Sequence, residues 1–165
     1  MKLLKIKSGI LFGWLCLAGI LAMAQDVRIT EFMANNHATL ADKDGDYSDW
    51  IELYNAGKID VNLDGWYLTD TTNLLSQWKF PPTVMPANSY LIVFASGKDL
   101  AVSGAELHTN FKLASDGGFL GLIKPDGLTI ASSFYPQYPK QYRDISYGIG
   151  QDVVTNVFLK TGASA

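Results

Sequence analysis

Apolar residues in this chain occur in short blocks, either alternating with polar ones or running unbroken for about five positions, and turn residues close each block. No segment carries the i, i+3, i+4 stripe that an amphipathic helix needs. The blocks therefore predict strands. Val27 to Met33 opens the series, and Asp49 to Tyr54 follows. Trp66 to Thr69 comes after the turn at Asp64-Gly65, and Gln77 to Phe80 stops at Pro81-Pro82, which cannot continue inside a sheet. Tyr90 to Phe94 is the strongest apolar run. Phe119 to Ile123 and Leu128 to Ala131 flank Lys124-Pro125-Asp126-Gly127, a reversal that predicts a β-hairpin. Ile145 to Ile149 and Val154 to Leu159 form a last pair, and the small polar residues from Thr161 onward are expected to fray. The polar stretch Asn35 to Ser48 and the aromatic stretch Phe134 to Tyr147 are predicted as the two long connections. Short strands with frequent turns over about 140 residues predict an all-β, antiparallel sandwich.

The first 24 residues have a different logic. Lys2, Lys5 and Lys7 precede an apolar run from Ile10 to Leu21, which ends at Ala22-Met23-Ala24. This is the layout of a secretory signal peptide cleaved after Ala24. The run falls short of the ~20 residues that span a bilayer. Leu15, directly before Cys16, is too bulky for a lipidation site, so no membrane attachment is expected after cleavage. The reading divides the chain into a signal peptide, residues 1–24, and one domain, residues 25–165, that is secreted, cell-surface or periplasmic. Cleavage removes three of the 13 Lys and Arg, leaving 10 against 16 Asp and Glu, so the net charge moves from −3 to −6. An acidic domain without a basic cluster excludes phosphate-backbone binding, and no nucleic-acid partner is expected. Cleavage also removes Cys16, the only cysteine, so the mature domain must be held by its core rather than by disulfides.

Five blocks in order carry a family resemblance. They are Ile29-Thr-Glu-Phe-Met-Ala-Asn-Asn36, Asp49-Trp-Ile-Glu-Leu-Tyr-Asn55, Leu63-Asp-Gly-Trp-Tyr-Leu-Thr-Asp70, Tyr90-Leu-Ile-Val-Phe-Ala-Ser-Gly97 and Leu107-His-Thr-Asn-Phe-Lys-Leu113. Together they resemble the lamin tail domain, in particular its bacterial secreted branch. The resemblance implies an immunoglobulin-like β-sandwich without a catalytic centre. It also implies an interaction module of the kind often attached to hydrolases or spore-coat-kinase-like domains.

The most provocative polar stretch is Asp42-Lys-Asp-Gly-Asp46. Its alternating carboxylates, with Asp49, are candidate Ca²⁺ ligands, because Ca²⁺ takes six to eight oxygens from flexible loops. The EF-hand register fails, since Tyr47 stands at the required glycine and Leu53 at the bidentate glutamate. The competing reading is an acidic, solvated turn, and apart from this Ca²⁺ no cofactor is expected. Glu31 and Glu52 interrupt apolar strands and are read as structural carboxylates rather than a general acid–base pair. His37 and His108 are too few for a zinc site without cysteine, and His108 is expected to pack or cap a turn. Gly-x-Ser-x-Gly is absent, and Ala95-Ser96-Gly97-Lys98 lacks the upstream glycine of a phosphate loop. Tyr135, Tyr138 and Tyr142 are candidate glycan-facing rings, set against the alternative that they tie a connection onto the sheet.

The expectation is a non-enzymatic extracytoplasmic module that presents its surface to a protein or polysaccharide partner. Two other readings stand beside it: the N-terminal accessory module of a larger secreted enzyme, a hydrolase or spore-coat-kinase-like protein, and a calcium-dependent glycan-binding module.

Overall fold

A computed structural model describes residues 26–149 and the backbone of Phe158–Thr161. The expected signal peptide and cleavage site, the first residues of the predicted last strand and the end beyond Thr161 that was expected to fray lie outside the described residues, whereas Thr161 itself is in a strand. Among the described residues every regular element is a strand. They are β1 (Val27–Met33), β2 (Asp49–Asn55), β3 (Val61–Asn62), β4 (Tyr67–Thr69), β5 (Trp78–Lys79), β6 (Val84–Met85), β7 (Tyr90–Ala95), β8 (Leu107–His108), β9 (Gly118–Ile123), β10 (Ile130–Tyr138), β11 (Ser146–Ile149) and β12 (Phe158–Thr161).

Two sheets make an immunoglobulin-like sandwich: the apolar alternation predicts the sandwich, and the family resemblance implies its immunoglobulin-like type. The larger runs β12-β11-β1-β2-β7-β8, and the smaller runs β10-β9-β4-β5. A two-stranded sheet, β3-β6, stands beside them. All pairings are antiparallel except β7 with β8. Ile29, Ile51, Leu53 and Val93 from the large sheet meet Leu68, Trp78, Leu120 and Leu122 from the small one in a single core. Burying each such side chain stabilises the fold by roughly 1.5–3 kcal/mol.

The apolar period of β1 slips once, and the structure explains the slip. Val27 and Ile29 face the core, but the next core residue is Phe32, three positions on. A bulge between Ile29 and Glu31 accounts for the extra residue, Thr30. It also turns the Ile29 amide toward the hydroxyl of Ser132 in β10, which accepts at 3.1 Å and joins the two sheets along that side.

β7 is buried on both faces at its end, Val93–Phe94–Ala95. Val93 and Ala95 join the main core, while Phe94 joins Met33, Trp50 and Ile92 in a second cluster on the outer face of the large sheet. The polar stretch 35–48 reaches this cluster, with the Thr39 hydroxyl on Met33 Sδ at 3.2 Å. Asp144 fastens the start of the same stretch, its Oδ1 accepting from the amides of His37 (2.6 Å) and Ala38 (2.9 Å).

The aromatic stretch from Phe134 to Tyr147 departs from expectation. Its first five residues are strand, not connection: Phe134 pairs with Leu120 and Tyr138 with Gly118. An irregularity between these pairs takes up Tyr135, Pro136 and Gln137. Pro136 has no amide hydrogen to offer a ladder, and an edge strand with a bulge tolerates that loss.

A clamp in the charged loop, and the chain's family

The Asp42–Asp46 loop folds around its first aspartate. Asp42 Oδ1 accepts from the amides of Asp44 and Asp46, both at 3.0 Å, and the Asp42 carbonyl accepts from Gly45 at 2.9 Å. Gly45 takes φ +85°, a region that glycine enters without strain. The three carboxylates then converge on one ammonium. Lys98 Nζ lies 2.6 Å from Asp42, 2.8 Å from Asp44 and 2.9 Å from Asp46. Burial opposes ionisation of Asp42, but the Lys98 ammonium and the two loop amides outweigh it and hold the carboxyl below its ordinary range. The same carboxylates push Lys98 above the ordinary lysine value.

Lys98 follows β7, so the clamp fixes the loop to the end of that strand. Beside it lies a second polar line. His108, on β8, is fully buried, and its ring stacks on Phe94 with centroids 5.4 Å apart. Its Nε2 lies 3.0 Å from Glu106 Oε1, and its Nδ1 lies 3.0 Å from Ser96 Oγ. An ionised Glu106 can only accept, so Nε2 carries the proton and Nδ1 accepts from the Ser96 hydroxyl. Glu106 Oε1 also accepts from the Lys43 amide at 3.1 Å, and Ser96 Oγ from the Lys98 amide at 3.1 Å. Residues 42–46, 96–98 and 106–108 thus form one connected network.

The sequence candidates are distributed unevenly over this geometry. Asp42, Asp44 and Asp46 come together, with ligand atoms within 4.8 Å of one another. Asp49 does not join them. It opens β2 and accepts from the Leu113 amide at 3.2 Å, and burial raises its pKa despite that bond. His108 packs as expected. In the sequence it is not connected to Glu106 and Ser96, and Ser96 and Lys98 are weighed only as part of a phosphate loop, not as partners of His108 and the acidic triplet. An acidic triplet needs a counter-charge, and the short motif Ser-x-Lys after the strongest strand was the available signal.

Glu31 and Glu52 are cross-strand partners beside the β1 bulge. Glu52 Oε1 accepts from Thr30 Oγ1 at 2.7 Å. Burial raises the Glu52 pKa, the Thr30 hydroxyl lowers it, and the Glu31 charge raises it further.

Of the three tyrosines read as glycan-facing, Tyr138 is corrected. It is 2% exposed, its ring packs against Phe32 at 4.6 Å, and its hydroxyl bonds the backbone of Ala114 at 3.1 Å. The ring turns inward because its apolar area fills the gap between β9, β10 and β1 while its hydroxyl reaches a loop peptide. Tyr135 and Tyr142 are exposed, at 74% and 54%.

No curated protein sequence matches the chain. The model of the Lamin Tail Domain matches residues 22–137, which takes in every strand from β1 to β9 and most of β10. With this coverage and the sandwich just described, the chain belongs to the lamin tail domain family.

Proposed function

We propose that this lamin tail domain is a non-enzymatic binding or structural module that works outside the cytoplasm. The observation that carries the reading is that its reactive-looking side chains are spent on one another. Lys98 is held by three carboxylates, and His108 is sealed between Ser96 and Glu106. The line Ser96–His108–Glu106 has the order of a nucleophile, base and orienting acid. Ser96 is only 8% exposed, and its Oγ already accepts a hydrogen bond from the Lys98 amide, which argues against its serving as a nucleophile. Export is supported by the signal-like first 24 residues.

The surface that meets a partner is the turn side of β10. Tyr135 and Tyr142 are exposed there, interleaved with the exposed Pro136, Gln137, Lys140 and Arg143. Rings with an apolar face and a polar tip suit either a protein interface or stacking on a sugar. The test is capture from the native envelope or medium by crosslinking, with insoluble polysaccharides assayed in parallel. Tyr135→Ala and Tyr142→Ala are expected to weaken capture at least fivefold while the melting temperature stays unchanged. Steady turnover of any substrate by the purified chain would overturn the reading, as would a chain that captures nothing in either assay.

A further inference from the structure

We propose that Asp42, Glu106 and His108 form a binding site for a first-row divalent transition cation such as Zn²⁺. Two segments far apart in sequence deliver the donors: the acidic loop gives Asp42, and β8 gives His108, with Glu106 just before the strand. One Asp42 oxygen, one Glu106 oxygen and one imidazole nitrogen lie within 4.8 Å of one another. The Nε2–Glu106 separation, 3.0 Å, is about the distance between two adjacent ligands that each stand ~2.0–2.2 Å from one ion.

The surroundings of these donors set the site apart from a run of surface acids. The imidazole is fully buried, and stacking on Phe94 fixes its plane. Its far nitrogen meets Ser96 Oγ, the outer hydrogen bond that orients a metal-bound histidine. On binding, the imidazole proton moves from Nε2 to Nδ1, and the Ser96 hydroxyl turns from donor to acceptor, a role it already plays toward the Lys98 amide. Glu106 is steadied by the Lys43 amide, and Asp42 by the amides of Asp44 and Asp46. Lys98 keeps Asp44 and Asp46 as partners at 2.8 and 2.9 Å when the cation draws on Asp42.

The donor set decides the class of ion. An imidazole with two carboxylates suits Zn²⁺, Co²⁺ or a neighbouring transition ion, whereas Ca²⁺ takes oxygen alone and in greater number. The site therefore differs from the Asp42–Asp44–Asp46 set, which contains no nitrogen. Its role is to lock the acidic loop onto β8, a stabilising cation rather than a catalytic one.

The test is a titration of the metal-free chain with Co²⁺, followed by visible absorption. The expected result is a set of d–d bands that Zn²⁺ abolishes, with a melting temperature several degrees higher at saturating Zn²⁺. Glu106→Gln can still accept a hydrogen bond from His108 but is a poor ligand. It is expected to fold normally and to bind Co²⁺ at least tenfold more weakly. His37→Ala, at the remaining histidine, is expected to change nothing. Three results would overturn the proposal: no bands and no thermal shift, bands that survive Glu106→Gln, or stabilisation by Ca²⁺ alone that is indifferent to Glu106→Gln.

Discussion

At the residue scale, the informative groups are those whose charge or hydroxyl is taken from water. Glu52 is half-buried beside Glu31, and its folded pKa lies above the ordinary 4.5. The folded chain therefore holds this proton more tightly than the unfolded one, so the group lowers stability as pH rises through its pKa. Glu52→Gln keeps an acceptor for Thr30 and removes the charge. It is expected to be more stable than the parent at pH 7 by urea unfolding, and the gain should vanish below about pH 4 as both side chains become neutral. A gain that persists into acid would contradict the assignment. Tyr138 behaves analogously in alkali. Burial pushes its hydroxyl up to about 12 from 10, so the folded state keeps a proton that the unfolded state loses. Stability is predicted to fall as pH rises from 10 to 12. Tyr138→Phe should blunt that fall while costing about 1 kcal/mol at neutral pH, through the lost bonds to Ala114.

At the element scale, the tightest approach is between β11 and the β1 bulge. A Cβ on Gly148 would stand 2.5 Å from the Thr30 carbonyl oxygen and 3.2 Å from Glu31 Cα. Both neighbours are backbone and cannot turn aside. Gly148→Ala is expected to destabilise the chain by about 1–3 kcal/mol, read from the midpoint of denaturant unfolding. Leu122→Ala, in the centre of β9, should cost about 2–5 kcal/mol. The long strands were legible in sequence because period-two burial writes itself into residue type, as in Ile51 and Leu53 of β2. β3, β6 and β8 were not, since two residues cannot display a period. Their placement depends on distant side chains. Asn55, for example, donates to the carbonyls of Ile59, Met85 and Pro86, which ties the end of β2 to both sides of the β3–β6 sheet. The strand from Phe134 to Tyr138 was hidden by Pro136, which normally marks a break. Within the polar network the acidic loop could be seen, but its partners lie 56 residues away at Lys98 and beyond, and proximity of that range is a product of the fold.

At the scale of the whole molecule, a lamin tail sandwich closes one core between two sheets and hangs its polar loops on the outer face of the larger one. Polar and charged contacts there hold the 35–48 stretch down at several places: on Asp144, on Met33, and through Lys98 on the end of β7. We propose that this network clamps a loop to a finished sandwich rather than serving as a centre for reaction. Amide hydrogen exchange by NMR, comparing the purified chain with Lys98→Met, tests it most directly. The amides of Asp44 and Asp46, which donate to Asp42, are predicted to be protected in the parent and to open at least tenfold faster in the variant, while Leu120 and Leu122 in β9 exchange as before. Equal protection of the loop in both chains, or a loss that spreads through β9, would contradict the claim.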